Sequence, residues 1–557
     1  MNSSSAGMWL VTILAMGAAG CSMPEPAPFS PESIQRIQSR GLAEQRRSSM
    51  PPLPTTLQVP PLEPRSAATA PTTRYFTERR VALSLRQVIH RTVAYNPDVR
   101  VASFDPAINE ARVIEADARF DPTLFGALQY QRQTTNNQFV GDPLNPTKLR
   151  TVQLQTGLRQ VLPTGAQLEM KYQTARNDVS GSFFTNPFYQ NELTLQLTQP
   201  LLQDFGVEVN RARIAIAQND QQISRLDFRL KLEENLAKAE EAYWRLSQAL
   251  REVEIQEQLL AEAQRTARTI EARKGEDVHD VQLWQAYAAV RQRQATLVQA
   301  RGRVRNLSNQ LKQLMGDPDL PVGGAALVVP ADAPIETLIR FDTADQVETA
   351  LANRAELAQQ NLRIDSATVI TRAAKNNRLP ALNLTGSLGL VGLGGAWGEA
   401  SSSQFQADFV NYAIGLSLEM PIGFRGPNAI WQRTLLQRQQ GIAQYQALVE
   451  GVVLDVKQAQ LEVETRWEQT VSARHLRLAS EKSLSALQIK LEQDRKTPEL
   501  LQLVLDRQDR LGEAQRAEID AIVSYNIAVS ALERAKGTLL RYNNVVLREE
   551  ANPFAPR

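Results

Sequence analysis

The longest stretch without a helix breaker is the feature that most constrains this chain. Residues 211–273 contain neither proline nor glycine over 63 residues. An unbroken helix of that length would extend about 95 Å, whereas helices of globular domains usually run about 10–14 residues. Within it, the apolar side chains Tyr243, Leu246, Leu250 and Val253 recur at alternating intervals of three and four. This period predicts a coiled-coil helix.

A second long stretch with the same helical spacing of apolar residues runs from about residue 428 to residue 496. Its apolar positions keep the three-four alternation without a gap, at Ile442, Tyr445, Val449, Val452, Val456, Ala459 and Val463. Each long helix is followed by a short interruption and a shorter return helix with its own heptad pattern, at 281–315 and 499–542. The chain is therefore predicted to contain two long helical hairpins, 211–315 and 428–542.

Two further predicted helices make up the difference in length between the long and the return helices. We expect the helix at 345–377 to extend the first return helix and the helix at 98–119 to extend the second. Two long helices and two stacked pairs of similar reach indicate an internally duplicated chain, with repeats at 81–330 and 331–545 and a C-terminal tail at 546–557.

Strand-like alternation of apolar with polar or small residues occupies two regions, 123–200 and 381–420. Each region begins after a proline that ends the preceding helix, Pro122 in the first case and Pro380 in the second. Such alternation is typical of bilayer-spanning barrel strands, and of soluble sandwiches as well. The long helices favour the barrel, because a barrel closed at one end of a helical tube explains why strands are inserted between them.

The N-terminal residues resemble a bacterial lipoprotein signal. An apolar core at residues 8–19 is too short to span a bilayer but suits a signal peptide, which we place at 1–20. Cys21, the single cysteine, follows small residues as in a lipobox, and in lipoproteins it would carry the lipid. Ser22 in the next position favours outer-membrane sorting by the same resemblance. The alternative is a plain secretory signal with an incidental thiol, since no Lys or Arg precedes the apolar core.

The segment that follows the cysteine, residues 21–80, is rich in proline, serine and threonine and has no apolar periodicity. This composition predicts an extended tether between the lipid and the folded body.

Enzyme chemistry has no support in the residues. His90, His279 and His475 lack the paired spacing of a zinc site. The Gly-rich run at 386–398 follows a strand but is expected to precede no helix, and it lacks the Lys-Ser/Thr of a phosphate loop. A net charge of +2 with interleaved signs argues against a nucleic-acid partner. We predict that the chain is not an enzyme and has no cofactor besides the covalent lipid on Cys21.

Four passages resemble the TolC-like outer-membrane factors, the outer-membrane efflux protein family. They are LTQPLLQDFG before the first long helix, EAYWRLSQA within it, the return segment VQLWQAYAAVRQRQATLVQARGRVRNLSNQLKQLMGDP, and LLQLVLDRQDRLGEAQRAEIDAIVSYNIAVSALERAKGTLL near the end. The resemblance covers nearly all of residues 83–545. It implies a mixed α and β fold: a trimeric membrane β-barrel, with four to six strands per protomer, continued by a long periplasmic α-helical barrel of coiled-coil helices.

One departure from the family lies between Thr151 and Arg176. Two alternating segments there, joined by a Pro-Thr-Gly turn, are an addition to the four strands per protomer of family members. Either the protomer contributes six strands, or this pair lengthens a hairpin beyond the membrane. The residues alone leave both alternatives open.

The resemblance implies an exit duct in the bacterial outer membrane, lipid-anchored and with a long periplasmic portion. Its partners would be two further copies of the chain, outer-membrane lipid, a periplasmic adaptor protein and an inner-membrane pump that supplies the energy. The residues do not distinguish a tripartite efflux pump from a type I secretion system, which neighbouring genes would do. The alternative functions are a structural tether between envelope layers without a channel, and an envelope enzyme.

Two sets of site residues follow from the resemblance. The hairpin tips, with Gly275, Glu276 and Asp277 in the first and Thr497 and Pro498 in the second, would meet the adaptor at the far periplasmic end; the alternative is that they are turns only.

Near the second tip, Asp506 matches one of two acidic positions that narrow the entrance of related ducts, and Leu503 occupies the other. Three copies would form one acidic ring beside an apolar one. The alternative is that Asp506 pairs with Arg507 or Arg510 on the helix surface.

Overall fold

The computed structural model describes residues 79–135, 147–180, 185–272, 280–407, 409–493 and 499–546. Those up to residue 543 belong to one compact unit, residues 66–543. The predicted signal peptide, Cys21 and both hairpin tips lie outside the described residues.

Helices make up most of the described chain. Their bounds are α1 (Leu85–Tyr95), α2 (Pro97–Ala102), α3 (Phe104–Asp117), α4 (Val207–Asn210), α5 (Ala212–Ala272), α6 (Asp280–Met315), α7 (Thr343–Asn353), α8 (Ala355–Asn376), α9 (Trp397–Phe405), α10 (Arg425–Gln493), α11 (Glu499–Ala535) and α12 (Leu539–Tyr542). The long helices α5 and α10 contain 61 and 69 residues, close to the predicted bounds. The long heptad stretches are therefore long helices, including α10, which accommodates Gly441 and Gly451 in its interior.

Three predicted helices are shorter than expected or divided. The second return helix ends at Ala535 because Gly537, with a φ of +70°, terminates it, so that the predicted end at residue 542 is wrong. The helix predicted at 345–377 is divided into α7 and α8 at Arg354, whose backbone is extended. The helix predicted at 98–119 is divided at Ser103.

The helices form a single layer that is four helices wide at both ends. In the half that contains the C-terminal ends of α5 and α10 the order is α6, α5, α11, α10, and in the half next to the strands it is α3, α5, α8, α10. The long helices run through both halves, and shorter helices fill the places beside them.

The stacking of the short helices is the reverse of the predicted one. Helix α6 ends at Met315 beside the start of α2, where the Asn96 side-chain amide donates a hydrogen bond of 2.6 Å to the Leu314 carbonyl. Helix α11 ends beside the start of α8, where the Arg354 guanidinium reaches the Ala535 carbonyl at 3.3 Å. The summed predicted lengths favoured the other pairing because the second return helix was expected to reach residue 542. With its end at Ala535 the lengths no longer distinguish the two pairings, and polar contacts between the helix ends decide it.

The apolar core follows the predicted seams. Tyr243, Leu246, Leu250 and Val253 on α5 are 0–2% exposed and pack with residues of α6, α11 and the two short strands described next. Burying side chains of this size stabilises the fold by about 1.5–3 kcal/mol each. Helices α5 and α11 are covered on two sides, whereas α6 and α10 pack on one side only.

A short parallel strand pair lies against the middle of the helical layer. It consists of β1 (Arg79–Leu83) and β6 (Ala326–Pro330). Tyr243 holds it to α5: the Tyr243 hydroxyl donates to the Leu83 carbonyl at 3.2 Å and accepts from the Asp332 amide at 3.0 Å. Tyr525 on α11 makes similar bonds to the backbone of Thr337 and Ile339. Each tyrosine thus combines a buried ring with a satisfied hydroxyl.

Six antiparallel strands form the second sheet. They are β2 (Thr123–Thr135), β3 (Thr147–Val161), β4 (Gln167–Val179), β5 (Phe188–Pro200), β7 (Ala381–Gly394) and β8 (Phe409–Glu419), and they lie in that order across the sheet. Helix α3 leads into β2, β5 into α5, α8 into β7 and β8 into α10, so one end of every strand faces the helices. The strands therefore continue directly from the helical layer.

Candidate functional site

The six-stranded sheet has one apolar and one polar face. The pairing registers place the same face outward on every strand, and its apolar residues are Leu124, Leu128, Tyr130, Val152, Leu154, Leu158, Leu168, Met170, Tyr172, Leu193, Leu195, Leu197, Leu382, Leu384, Leu388, Leu390, Val410, Tyr412, Ile414, Leu416 and Leu418. Many of them are exposed, up to 83% for Ile414. An apolar surface this large on one face is typical of contact with lipid or with other protein.

The opposite face carries amides, hydroxyls and a few charges. Gln155 donates to Gln173 across strands at 3.1 Å, and Thr151 donates to Asn177 at 2.9 Å. Arg159 pairs with Glu169 at 2.9 Å. Polar residues that alternate with apolar ones along each strand are typical of barrel strands around an aqueous interior.

The sheet is open at both edges. Strand β2 pairs only with β3, and β8 pairs only with β7, among the described strands. The helical layer ends at the same two sides, with α3 and α6 on the side of β2 and α10 on the side of β8. On α10, Leu436, Leu454, Leu461 and Leu476 form one exposed stripe, each more than half exposed. Both layers thus end in uncovered surfaces on the same two sides.

The Gly-rich run leads into a helix, contrary to our expectation. Helix α9 follows β7 directly and lies across β7 and β5 on the apolar face. Ala400 and Gln404 of α9 are fully buried, and the Asn191 side-chain amide donates to the Ser401 hydroxyl at 2.9 Å. A Cβ atom at Gly392 would overlap the Ala400 carbonyl oxygen. Glycine is required there because the helix packs directly on the strand backbone, not because a phosphate binds.

Leu503 and Asp506 are both exposed on α11, one turn apart, while Val504 and Leu505 between them are buried. The two residues predicted to narrow the entrance therefore share a face that points away from the neighbouring helices. In the described structure, Asp506 forms no ion pair with either Arg507 or Arg510 within the helix. This arrangement leaves the carboxylate available to face the axis of an assembly, and the role of both residues stays a prediction.

A buried arginine that the sequence reasoning missed lies at the same level. Arg293 on α6 donates hydrogen bonds to the Leu259 carbonyl at 2.8 Å, to Asp509 at 2.8 Å and to the side chain of Gln508 at 3.2 Å. It also reaches the Leu505 carbonyl at 3.3 Å. Arg293 thus joins both hairpins beside the exposed face of Leu503 and Asp506.

A buried carboxylate occupies the middle of the layer. Glu240 on α5 is 1% exposed and accepts hydrogen bonds from the Ser530 hydroxyl on α11 and from the side-chain amide of Asn543. Burial raises the pKa of Glu240, and the nearby Glu533 carboxylate adds to this. Burial also raises the pKa of Glu233, one heptad earlier, although Arg229 opposes the rise. The heptad spacing of these two acids is the sequence signal that could have identified a polar seam.

Several predicted site residues cannot be placed. Cys21, Gly275, Glu276, Asp277, Thr497 and Pro498 lie outside the described residues, as does His279. His90 on α1 and His475 on α10 lie on separate helices. Across the described ranges, no group of three or more His, Cys, Asp or Glu side chains could hold a metal ion.

None of the helices in those ranges combines the length and the apolar character that crossing a membrane requires.

A layer of long helices that continues into an amphipathic antiparallel sheet is also found in known proteins. Residues 88–317 match the outer membrane efflux protein family. No curated protein matches the sequence.

Solved structures of outer-membrane channels share the fold. The channel OprN is 16% identical, with a TM-score of 0.60 over 82% of this chain and 90% of its own. The Campylobacter jejuni CmeC channel is 15% identical, with a TM-score of 0.59 over 83% of this chain and 90% of its own. The open state of the Neisseria gonorrhoeae MtrE channel is 16% identical, with a TM-score of 0.59 over 82% of this chain and 89% of its own.

The predicted resemblance to the TolC-like outer-membrane factors is therefore confirmed. The described chain has the fold of the outer-membrane channels, and residues 88–317 have the sequence character of an outer membrane efflux protein. Because these proteins are conduits, the prediction that the chain is not an enzyme is confirmed too.

Proposed function

We propose that this chain is the outer-membrane exit duct of a multi-component export system, either a tripartite efflux pump or a type I secretion apparatus. The observation that supports this best is the six-stranded sheet, apolar on one face and polar on the other, which continues directly into the helical layer. A lipid-facing outside and an aqueous inside are what a conducting barrel needs. The chain would conduct passively, with energy supplied by an inner-membrane pump.

The duct would be a homotrimer with a duplicated protomer. A sheet with open edges is not tolerated in lipid, so the strands of one chain have to be closed by those of others. The exposed stripe on α10 and the uncovered side of α6 would likewise be buried between protomers in a periplasmic helical barrel. Resemblance to the family supports three copies.

A structural tether is the alternative function. A tether would use the long helices but would need no amphipathic sheet, and we therefore favour the duct. Purification in detergent distinguishes the two: we expect a protein mass of three chains by light scattering, after subtraction of the detergent, and discrete conductance steps in planar bilayers. A monomer, or a trimer that never conducts, would contradict the proposal.

The periplasmic adaptor would contact the hairpin tips at 273–279 and 494–498. Gly275→Cys and Pro498→Cys variants are expected to crosslink to a co-purified adaptor, whereas Gly395→Cys, at the far end of the strands, serves as the control and should not. Crosslinks from Gly395→Cys alone would reverse the orientation of the molecule in the envelope.

A further inference from the structure

The additional hairpin, β3 and β4, is level with the rest of the sheet. Every residue of β2 has a partner on β3, from Thr123 opposite Arg159 to Thr135 opposite Thr147. Strand β4 pairs with β5 from Gln167 opposite Thr198 onward. The hairpin therefore does not project past its neighbours at the helix end, where a protruding hairpin would have unpaired residues.

The hairpin also shares the amphipathic phase of the other strands. Leu154 and Leu158 on β3 and Met170 on β4 point to the apolar face, while Gln155 and Gln173 point to the polar face. A one-residue shift would have exchanged the two faces, so a common phase across six strands indicates a common environment.

The apolar band on the additional strands ends where the band on β2 ends. Arg132 on β2 lies opposite Arg150 on β3, and Arg176 on β4 lies opposite Val152. All three arginines are exposed on the apolar face just beyond its last large apolar residues. Basic side chains at the border of an apolar band are typical of the level of lipid headgroups.

The turn of the hairpin is held against the junction between β5 and α5. The Gly206 amide donates to the Thr164 carbonyl at 3.1 Å. Gly165 has a φ of +92°, and a Cβ atom there would come within 2.8 Å of the Asn210 side-chain amide and would overlap the Asp204 carbonyl. A tight turn that is fixed at the base of the wall is expected on the periplasmic side of a barrel, where turns are short.

The estimated widths of the two layers are similar when all six strands are counted. Four helices abreast, at about 9 Å each, span about 36 Å. Strands about 4.8 Å apart and tilted by about 40° each occupy about 6.3 Å of a barrel's circumference, so six span about 38 Å and four only about 25 Å. Six strands therefore continue four helices without a change of radius.

We propose that all six strands of each protomer cross the outer membrane, and that β2 of one copy pairs with β8 of the next. The six strands alternate in direction, so β8 runs opposite to β2 and a second copy continues the antiparallel pattern. This inference rests on the trimer of the proposed function. Three copies then give a barrel of 18 strands with a backbone diameter of about 36 Å, against about 24 Å for twelve strands. The wider exit would admit bulkier cargo.

Spin-label scanning of the purified protein in lipid tests this inference. Single cysteines are placed along residues 152–158 and 168–174, and for reference along 191–197 and 382–388, in a Cys21→Ala background. Accessibility to dissolved oxygen, which enters lipid, is compared with accessibility to a water-soluble nickel chelate. We expect the ratio to alternate at every residue on all four strands, with oxygen favoured at Leu154 and Met170 and nickel at Gln155 and Gln173.

The outcomes separate the two proposals. Alternation on the reference strands, with uniform water exposure on β3 and β4, would overturn the six-strand barrel and leave the duct intact. No alternation on any strand would contradict the duct itself. Oxidation of a double variant, Leu128→Cys with Ile414→Cys, should also give covalent dimers and trimers that neither single variant gives; their absence across neighbouring registers would overturn the pairing of β2 with β8.

Discussion

Glu240 shows how a charged residue can occupy the core of a coiled-coil layer. Its carboxylate has hydrogen-bond donors on α11 and near the C-terminal end of the described chain, but burial dominates its ionisation. The titratable and charged groups around it are Glu533 and Tyr542, with Lys536 paired to Glu533 at 2.5 Å. Protonation of Glu240 therefore affects how the C-terminal segment is held to α5.

We predict that Glu240→Gln removes part of the pH dependence of stability. Because the folded pKa of Glu240 is raised above its ordinary value of 4.5, the folded state binds the proton more tightly, and stability is lost as pH rises through the folded pKa. A glutamine side chain can accept a hydrogen bond from Asn543 and donate one to Ser530 without the cost of burying a charge. Thermal unfolding should show that the variant is at least as stable as the parent at about pH 8. At about pH 4.5 the stability of the variant relative to the parent should be lower than at about pH 8.

Glu241→Gln is the matched control. Glu241 is the next residue along α5, but its side chain is 54% exposed. It should leave the pH profile unchanged. Equal profiles for Glu240→Gln and the parent would show that Glu240 does not titrate as described.

We predict that Asp506→Asn weakens cation selectivity and block by multivalent cations, because three carboxylates around one axis attract cations. Leu503→Ala should raise conductance by widening the apolar ring beside them. Planar-bilayer recording of the purified protein measures both effects, with Glu468→Gln on the exposed face of α10 as the charge-matched control. If neither Asp506→Asn nor Leu503→Ala differs from that control, the constriction lies elsewhere.

At the scale of elements, α9 is a helix on the sheet that the residue pattern did not predict. Its nine residues include Trp397 and Phe405 at the two ends, 53% and 74% exposed. The helix covers the apolar face of β5 and β7 at the end away from the helical layer. Exposed aromatic residues at that level suit the membrane interface, where such rings are enriched.

We predict that Gly392→Ala displaces α9, whereas Gly386→Ala does not. Both glycines lie on β7 and face the same side, but a Cβ atom at Gly392 would overlap α9, and one at Gly386 would meet nothing within 4 Å. Limited proteolysis should cleave residues 395–407 faster in Gly392→Ala than in Gly386→Ala. Equal rates would mean that α9 does not pack on β7 in the membrane.

At the scale of the whole molecule, the remaining prediction concerns attachment to the membrane. If Cys21 carries lipid, radiolabelled palmitate should be incorporated into the parent and not into Cys21→Ala. The variant should still form the trimer, because Cys21 lies far along the chain from the six-stranded sheet and the long helices. Absence of label from the parent would show that the N-terminal segment is an ordinary secretory signal.

The sequence by itself determined the elements whose signals are local. Absence of breakers and the three-four spacing identified α5, the three-four spacing identified α10, and two-residue alternation identified the regions of all six long strands. Each of these patterns lies within one helix or strand. It can be recognised without knowing the neighbouring element, because the buried face has to be apolar in any case. The passages that resemble the efflux family added the class of protein.

Only the tertiary structure decided which elements meet. It reversed the predicted stacking of α3 and α8, because end-to-end contacts such as that of Arg354 with Ala535 leave no trace in the length of a helix. It brought Arg293 to Asp509 and Glu240 to Asn543, pairs separated by hundreds of residues. It also paired β3 and β4 with the rest of the sheet, with their apolar residues on the same face. The residue pattern of a single strand cannot predict this, because strand pairing depends on which backbone lies beside it.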